Sequence, residues 1–370
     1  MTAKEDIAPA KAADENIEKK TEIESRAMQS LSQTPFRCLS LKQLSGGLGN
    51  FTFRGSLYSP LPDNRTSVIV KHCQQYDRTG TLDLPIARCV AEAVSLGIMR
   101  GSFFKHADVS IRPPDHLYLD TYTNLQVIED IPNCKTLRDY LDCNKDIPYS
   151  TARTIGQGLG LWLLEFHSRD WSHINEEETA VLYENKAAVE SSKMPFEYAM
   201  SLFDDDSLAR ESVLKAFAQD YPSRLTIIHG DFTTRNLLIQ SHPESKKLDD
   251  INLAIIDWEL SRYGCITMDL ASMIACLYIQ WHFEGTPCAE FMLRGFIHGY
   301  GQLDEQLVFR IAGLIAIYLI MWGRLDLIHG AKTEARAHKL NAHSKEFFIK
   351  ASQNDVEWLS TSFLSKFLRD

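Results

Sequence analysis

The chain has 370 residues, of which 44% are hydrophobic and 10% aromatic. A chain of this size and composition can bury a substantial core, so we expect one bilobal unit or two domains and not a disordered scaffold. The formal net charge of -10 argues against nucleic-acid binding, because proteins that bind phosphate backbones usually carry a basic surface. A small cationic or neutral molecule is a better partner for this charge.

Cysteine spacing and hydropathy further restrict the class of protein and its expected cellular location. The eight cysteines contain no Cys-x-x-Cys pair and no zinc-like spacing, so we expect reduced thiols that take no part in catalysis. The N-terminus lacks the charged, apolar and small-residue sections of a signal peptide, and no apolar run of about eighteen residues is evident. These features predict a cytoplasmic protein without a membrane partner.

Residues 1–35 are rich in Lys, Glu, Asp and Ala and contain few large apolar side chains. Such a segment buries too little apolar surface to offset the entropy lost on ordering, which favours disorder. The composition of residues 14–28 also suits a surface helix. We therefore predict a disordered or loosely helical tail.

The first folded domain is predicted over residues 36–131. An apolar stretch leads into a glycine-rich turn and then into a strand with alternating phenylalanines. The turn is either an ordinary hairpin connection or a phosphate-binding loop, because glycine lets backbone amides approach a phosphate closely. Motifs further along the chain favour phosphate contact. The residues assigned to this contact are Gly46, Gly47, Gly49 and Asn50.

A short apolar strand, residues 67–70, ends at Lys71. A lysine at that point is poorly placed for solvent unless the strand lies at an edge or the lysine has a function. Residues 87–99 are predicted to form the next helix, and Glu92 on it has mostly apolar neighbours. The two residues form either a surface salt bridge, which would contribute little to stability, or a functional pair.

Pro113 and Pro114 interrupt the chain before a predicted hairpin over residues 116–128. The segment 127–131, with the sequence VIEDI, then leads out of the first domain into a helix. We expect this segment to be the crossover into a second domain, residues 132–370.

In the second domain, two apolar runs at 225–228 and 253–256 each predict a short buried strand. Asp231 follows the first run, Asn236 comes five residues later, and Asp257 ends the second run. We expect these three side chains at the ends of adjacent strands.

One amide and two carboxylates are what a phosphoryl-transfer site needs, because the protein must position a hydroxyl nucleophile and hold magnesium. Asp231 can accept the hydrogen bond of an acceptor hydroxyl and take its proton late. Asn236 and Asp257 offer the hard oxygen ligands that Mg²⁺ prefers. The spacing Asp-x-x-x-x-Asn is that of a kinase catalytic loop, but it gains weight only from its strand context, since Asp and Asn are common in turns.

The sequences HGDFTTRN at 229–236 and IDWE at 256–259 resemble the aminoglycoside phosphotransferase and choline kinase family of small-molecule kinases. In these motifs the chain is nearest to the methylthioribose and hydroxytryptamine kinases. The resemblance covers nearly the whole chain after residue 35. It implies an α+β, bilobal, protein-kinase-like fold with an N-terminal antiparallel sheet, one helix on that sheet, and a larger, mostly helical C-terminal lobe.

The resemblance also implies roles around the motifs. Asp231 would be the catalytic base, with Asn236 beside it in the catalytic loop. Asn236 and Asp257 would hold Mg²⁺. Glu259 would be a further metal or substrate contact, with structural hydrogen bonding as the alternative.

For the nucleotide, the resemblance implies that Lys71 meets the ATP phosphates and pairs with Glu92. Backbone groups of Glu129 and Ile131 would hydrogen-bond the adenine edge at the crossover. The cofactors would be ATP and Mg²⁺.

Residues around the catalytic stretch receive lesser roles. We expect His229 to orient the loop through hydrogen bonds and His167 to be a packed or capping residue. Asp269 is expected to cap the following helix and tie down the loop. Arg235 either neutralises a transferred phosphoryl group or faces solvent.

The chain after Asp269 is predicted to be almost entirely helical, with helices at 270–283, 287–300, 305–329 and 333–351. The resemblance implies that such helices build the acceptor pocket, in which aromatic rings could hold a cation or a flat ring. Core packing is the alternative for these residues. The candidates are Trp281, His282, Trp322, Arg324 and Asp326.

Together these features predict an ATP- and Mg²⁺-dependent kinase that phosphorylates a hydroxyl group of a small molecule. A nucleotide-binding pseudokinase or regulatory module without turnover is the alternative, although every expected catalytic position is filled. A protein kinase is disfavoured because the chain lacks Asp-Phe-Gly, Ala-Pro-Glu and room for an activation loop.

Overall fold

The computed structural model describes residues 21–44, 49–76, 83–218, 224–240, 250–328 and 333–368. They form two compact units. Unit 1 contains the described residues up to Gly97 together with Pro114–Asp130, and unit 2 contains Ile98–Pro113 and the described residues from Ile131 onward. The predicted two-part α+β organisation, with helices dominating the C-terminal part, is confirmed.

Unit 1 is built on a five-stranded antiparallel sheet in the order β1-β2-β3-β7-β6, with strands numbered along the chain. Along β2, alternate residues from Phe51 to Leu57 are buried because successive side chains point to opposite faces of a sheet, whereas the interior strand β7 is buried at four successive residues. The third strand continues two residues past Lys71, so this lysine lies within a strand and not at its end as predicted. The strands are β1 (Cys38–Gln43), β2 (Asn50–Leu57), β3 (Ser67–Cys73), β6 (His116–Asp120) and β7 (Leu125–Glu129).

Residues 21–31 form a helix, α1, which packs on this sheet. Ile23, Ala27 and Leu31 recur every four residues and are buried in the core of unit 1. For residues 21–31 the helical alternative is therefore the right one, but the helix is packed into the core of unit 1 and is not a loose surface helix, because average composition hid a narrow apolar stripe. The remainder of that prediction, residues 1–20, lies outside the described residues. Unit 1 thus carries two helices and not one, the second being α2 (Arg88–Ile98).

Unit 2 contains a second five-stranded sheet in the order β4-β5-β11-β10-β8. Strand β5 pairs in parallel with β11, which comes about 140 residues later, and this pairing places residues 98–113 in unit 2. The sequence assigned that segment to the first domain, since a pairing over such a separation leaves no local pattern. The strands are β4 (Phe104–His106), β5 (Val109–Arg112), β8 (Cys134–Thr136), β10 (Leu237–Gln240) and β11 (Ile251–Ile255).

The two strands that precede the predicted catalytic residues are not neighbours. Strand β9 (Leu225–Ile228) pairs with β12 (Arg262–Cys265) in a separate two-stranded sheet. Strand β11 pairs instead with β10, which directly follows Asn236. The expectation of adjacent strands is therefore wrong, although the short loop from β9 to β10 still places Asp231 close to the end of β11.

The helices of unit 2 largely match the predicted ones in the C-terminal half. In the middle of the chain, a short break at residues 184–185 separates α5 from α6. The helices are α3 (Leu137–Cys143), α4 (Tyr149–His167), α5 (Glu176–Tyr183), α6 (Lys186–Leu202), α7 (Ser207–Ala218), α8 (Thr267–His282), α9 (Pro287–Tyr300), α10 (Glu305–Ile328), α11 (Glu334–Ser352) and α12 (Val356–Thr361).

Helices α4 and α9 pack so closely that their contact surface requires glycine. A Cβ added at Gly156 would lie 2.0 Å from the carbonyl oxygen of Met292, and one at Gly160 would lie 2.2 Å from that of Phe296. This close packing fixes the end of α4, where His167 lies.

Helix α10 contains the one stretch among the described residues that is long and apolar enough to cross a membrane. Residues Glu305–Leu325 have a mean hydropathy of 1.7, and 83% of the apolar window is buried within the fold. The expectation that no apolar run reaches this length is therefore wrong, but the burial is that of a core helix.

We predict that Leu31→Ala lowers the free energy of unfolding by about 2–4 kcal/mol, because it removes a fully buried side chain from the contact between α1 and the sheet. Denaturant unfolding followed by circular dichroism measures this change. Ser25→Ala, at an exposed position of the same helix, should change stability by less than about 0.5 kcal/mol. Equal effects of the two substitutions would mean that α1 does not pack on the sheet.

Candidate active site

One buried carboxylate, that of Asp269, holds the start of the loop that follows β9. Asp269, in the first turn of α8, accepts hydrogen bonds from the backbone N–H groups of His229 at 2.8 Å and Gly230 at 2.9 Å. The Nε2 atom of His167 lies 3.1 Å from the same carboxylate, and its Nδ1 atom lies 3.0 Å from the Tyr300 hydroxyl. Helices α4, α8 and α9 thereby fix the start of the loop.

The charge on Asp269 is stabilised despite its burial. Burial by itself raises the pKa of this carboxyl, but the hydrogen bond from His167, the electrostatic interactions with His167 and His229, and the hydrogen bond from the His229 backbone N–H outweigh it, and the pKa falls below its usual range. The predicted cap is not observed, since Ile266 is the N-cap of α8. The predicted anchoring of the loop by Asp269 is present, and His167 is packed as expected.

Gly230 is required by the geometry of this loop. Its φ is +82°, a region that residues with a side chain rarely adopt, and an added Cβ would lie 2.1 Å from the carbonyl oxygen of Leu260. The neighbouring His229 uses its ring to shape the same turn. Its Nδ1 atom accepts a hydrogen bond from the backbone N–H of Asp231 at 3.3 Å, and its Nε2 atom lies 3.1 Å from the Ile256 carbonyl oxygen. His229 therefore orients the loop, as expected.

Further hydrogen bonds hold the loop between Asp231 and β10. The Ser272 hydroxyl donates to the Phe232 carbonyl at 2.8 Å, and the N–H of Arg138 donates to the Thr234 carbonyl at 3.0 Å. At its end, the N–H of Ile256 donates to the Asn236 carbonyl at 2.9 Å. Successive parts of the loop are thus tied to α8, to α3 and to the strand that leads to Asp257.

Asn236 and Asp231 are brought into direct contact. The side-chain amide of Asn236 donates to the Asp231 carboxylate at 2.7 Å and to its backbone carbonyl at 3.0 Å. Because its N–H₂ group is used in this way, the carbonyl oxygen of the amide is the atom left to bind a cation. The two residues assigned to catalysis by the sequence therefore lie side by side.

The electrostatics around Asp231 suit a divalent cation. Burial raises the pKa of the Asp231 carboxyl to about 7, and the nearby negative charge of Asp257 adds to the rise, while the hydrogen bond from Asn236 and the charge of Arg235 lower it. Two carboxylates that repel each other beside an amide oxygen form an oxygen donor set in which a cation would relieve the repulsion. The residues present therefore fit Mg²⁺.

Asp257 has a backbone conformation that supports this assignment. It follows β11 with φ +66° and ψ +59°, in the left-handed region, and directly precedes a 3-10 helix, Trp258–Leu260. Non-glycine residues held there cluster at ligand-binding sites. No group of three His, Cys, Asp or Glu side chains forms a metal-binding cluster within the described part of the chain, so Glu259 is not grouped with Asp231 and Asp257. Its predicted role as a metal ligand stays a prediction.

In unit 1, the structure contains the predicted ion pair. The Lys71 Nζ atom lies 2.7 Å from both carboxylate oxygens of Glu92, and both side chains are buried. Gln126 on β7, directly opposite Lys71, donates to Glu92 at 2.6 Å. The pair is therefore not a surface salt bridge. Sequence reasoning missed Gln126, although a polar residue between Leu125 and Val127 is a detectable signal.

The glycine-rich turn lies only partly within the described residues. Gly46 and Gly47 lie outside them, whereas Gly49 directly precedes β2 and the buried Asn50 begins it. The carbonyl oxygen of Gly49 and the side-chain oxygen of Asn50 both accept hydrogen bonds from Arg88. No role for Arg88 was predicted from the sequence.

The two crossover residues are placed at the ends of the units. The N–H of Glu129 donates to the Asp115 carbonyl at 2.9 Å, which extends the β6–β7 pairing. The Ile131 carbonyl oxygen accepts a hydrogen bond from the Cys134 thiol at 2.9 Å. An adenine contact in this segment would therefore use other groups, such as the N–H of Ile131, and it stays a prediction.

Of the acceptor candidates, Trp322 is the one that the structure brings to the catalytic loop. The guanidinium carbon of Arg235 lies 3.9 Å from the centre of the Trp322 ring, so Arg235 is stacked and does not simply face solvent. A small cavity opens beside this pair. Among the described residues, Trp322 Nε1 and Gln280 Oε1 are buried there without a hydrogen-bond partner. The cavity is lined by Arg138, Thr234, Cys276, Gln280, Trp322 and Arg336.

The other acceptor candidates are placed elsewhere. Trp281 and His282 pack against Tyr278 in an aromatic cluster, with ring centres 5.8 and 5.2 Å away. Arg324 lies over the Tyr198 ring at 4.2 Å. For Asp326, the side chain lies outside the described residues. Packing within this aromatic cluster therefore accounts for Trp281, which is half-buried, while His282 lies at the exposed edge of the cluster.

Comparison with known proteins agrees with this site. Residues 150–309, which include the whole catalytic loop and Asp257, match the model of the phosphotransferase enzyme family. The predicted family resemblance is confirmed. The prediction that the chain is a phosphotransferase enzyme is confirmed as well, by this match and by the names of curated relatives.

Two fungal proteins are similar to most of the chain. Phosphotransferase FrzJ of a Cladobotryum species is 28% identical over 324 residues, which cover 80% of this chain and 84% of the relative. The 4-hydroxytryptamine kinase of Psilocybe cubensis is 23% identical over 336 residues, which cover 88% of this chain and 91% of the relative. The hydroxytryptamine kinases named from the motif are thus among the relatives.

A solved structure of amicoumacin kinase, in complex with AMP-PNP, Ca²⁺ and Ami, aligns with a TM-score of 0.51 and 12% identity. The alignment covers 91% of this chain and 96% of that one. At this identity the likeness establishes the fold alone. The predicted kinase-like fold is confirmed.

We predict that Gly230→Ala lowers the free energy of unfolding by about 3 kcal/mol or more, because the new Cβ meets the Leu260 carbonyl and strains the backbone. Gly285→Ala is a matched control, since φ there is also positive, at +65°, but nothing lies within 4 Å of an added Cβ. We expect it to cost about 1 kcal/mol. Chemical denaturation of both variants measures the difference, and equal losses would contradict the close contact at Gly230.

Proposed function

We propose that this chain is a cytoplasmic kinase that transfers the γ-phosphoryl group of ATP to a hydroxyl group of a small molecule. The observation that carries this proposal is the contact between Asp231 and Asn236 next to Asp257, at the end of a loop fixed on several sides. Such an arrangement positions a base and a cation for phosphoryl transfer, which depends mainly on positioning and charge neutralisation.

Each residue then has a stated task. Asp231 accepts the hydrogen bond of the acceptor hydroxyl, orients its oxygen towards the phosphorus, and takes the proton as the new bond forms. Asn236 keeps the carboxylate of Asp231 in one orientation and, with Asp257, holds Mg²⁺. When bound, Mg²⁺ neutralises charge on the nucleotide phosphates. Lys71, oriented by Glu92, binds the nucleotide phosphates.

We place the acceptor beside the catalytic loop, at the cavity that Trp322 and Gln280 line. Trp322 offers an N–H donor and Gln280 a carbonyl acceptor, both buried without partners among the described residues. The Arg235 guanidinium stacked on Trp322 can move from the ring to a phosphoryl group as charge develops. The cavity, with a volume of about 10 Å³, has room for a single water molecule, so an acceptor reaches these two groups only when the surrounding side chains move. A flat molecule with polar edges matches the two groups chemically, which agrees with the similarity to kinases named for hydroxytryptamine.

A pseudokinase remains the competing function, and a substrate panel separates the two. Purified protein with Mg²⁺ and ATP would be incubated with hydroxyindoles, amino alcohols, ribosides and aminoglycosides, and phosphorylated products detected by mass spectrometry. We expect a phosphate ester from at least one flat hydroxylated compound. Nucleotide binding without any product from the panel would favour the pseudokinase.

We predict that Asp231→Asn lowers kcat by about 10³-fold or more while the affinity for Mg²⁺ and AMP-PNP stays within about twofold, because the amide keeps the shape of the side chain but cannot accept a proton. Turnover assays and calorimetry provide the two measurements. Asp257→Ala is the contrasting change, and it should weaken nucleotide binding in the presence of Mg²⁺ far more than in its absence. Substantial turnover by Asp231→Asn would exclude this residue as the base.

We predict that Trp322→Ala raises KM for the acceptor by about tenfold and leaves KM for ATP unchanged, since it removes a ring and an N–H donor next to the catalytic loop. Trp281→Ala is the control, because its ring packs within an aromatic cluster and should affect stability without this split between substrates. Steady-state kinetics with each substrate varied in turn tests both. An unchanged acceptor KM in Trp322→Ala would place the acceptor elsewhere.

A further inference from the structure

Arg88 is a fully buried arginine at the start of α2 that holds the end of the glycine-rich turn. Its NH2 atom donates to the Gly49 carbonyl at 2.8 Å and to the Asn50 side-chain oxygen at 3.2 Å. Its NH1 atom donates to the carbonyl oxygens of Leu84 at 2.8 Å and Pro85 at 3.1 Å. One guanidinium therefore joins the turn to the segment that starts the helix.

Helix α2 also contacts Lys71, the lysine assigned to the nucleotide phosphates. Glu92 follows Arg88 by four residues, so both side chains lie on one face of α2. Glu92 binds Lys71 on β3, while Arg88 binds the residues that begin β2. Helix α2 thus has two attachments on this face, one to each of the two elements that the sequence assigned to the nucleotide phosphates.

Burying this guanidinium has an energetic cost that few other side chains could offset. A buried charge is tolerated only when hydrogen bonds compensate its lost hydration, and Arg88 makes four through two of its nitrogens. A planar, forked guanidinium can donate to the Gly49 and Asn50 oxygens and to the two carbonyl oxygens before α2 at once. A lysine ammonium carries all its donors on one nitrogen and cannot span both sets of acceptors. A buried arginine with this energetic cost indicates that the positions of its partners Gly49 and Asn50 matter.

We propose that Arg88 is a positioning residue for the nucleotide phosphates. It sets the positions of Gly49 and Asn50, at the end of the glycine-rich turn, relative to α2, and Glu92 sets Lys71 relative to the same helix, so that one helix holds the phosphate-binding residues of both elements. This inference rests on the proposed function, because it assumes that the turn and Lys71 bind a nucleotide. It assigns Arg88 no contact with the nucleotide itself.

The test compares a nucleotide with phosphates to one without. Calorimetry or competition binding with the full chain would give Kd values for Mg²⁺·AMP-PNP and for adenosine. In Arg88→Met we expect the Kd for Mg²⁺·AMP-PNP to rise about tenfold and that for adenosine to change less than about twofold. A residue that merely supports the fold would weaken both equally, and that result, or no change in either Kd, would overturn the proposal.

Two further variants keep the test decisive. Arg88→Lys retains the charge but cannot bridge both groups of acceptors, so it should show the same selective loss if Arg88→Met fails to fold. Arg65→Met is the matched control, since Arg65 in the same unit pairs with Asp63 and Asp115 and not with the turn. It should leave the Kd for Mg²⁺·AMP-PNP unchanged, and a loss equal to that of the Arg88 variants would overturn the proposal.

Failure of this inference is distinguishable from failure of the proposed function. Wild-type protein that binds no Mg²⁺·AMP-PNP would contradict the kinase proposal and, with it, the role of Arg88. If the wild type binds and Lys71→Met loses phosphate-dependent affinity, while both Arg88 variants bind as the wild type does, only the role of Arg88 is overturned.

Discussion

The buried carboxylate of Asp269 is the constraint on which the candidate site depends. It accepts two successive backbone N–H groups at the start of the catalytic loop and is itself held by His167, which in turn lies within hydrogen-bond distance of Tyr300. A buried carboxylate accepts several such bonds readily, because each one offsets part of its lost hydration. The position of Asp231, two residues after His229, is therefore determined by three helices that carry no residue assigned to the chemistry.

The carboxylate assigned to the chemistry, that of Asp231, has electrostatic surroundings opposite to those of Asp269. Around Asp269, hydrogen bonds and electrostatic interactions with two histidines favour the charged carboxylate, whereas burial and the charge of Asp257 disfavour it at Asp231. The charged form of the first carboxylate is stable without a cation, whereas a nearby cation would stabilise the charged form of the second. Two carboxylates next to the catalytic loop thus serve different purposes, and their surroundings distinguish them more clearly than their sequence positions do.

Much of the site could be predicted from the sequence, because its residues are close together in the chain or follow apolar strands. Asp231, Asn236 and Asp257 lie within 27 residues, and Lys71 and Glu92 were paired through the family resemblance. Elements defined by partners distant in sequence were not predicted: the assignment of residues 98–113 to unit 2, the pairing of β9 with β12, and the packing of α1. Arg88 and Gln126 were missed because a polar residue among apolar ones shows its partner only in three dimensions.

The sequence by itself determined the class of chemistry, since the residue types and their spacing restrict which reaction the loop can support. It also determined most helices, because an apolar periodicity is a local property. Only the tertiary structure decided which buried charges are paired, which tryptophan lies at the loop, and that one face of α2 holds both the glycine-rich turn and Lys71. These depend on contacts between residues far apart in the chain, and their geometry follows from packing that no local pattern encodes.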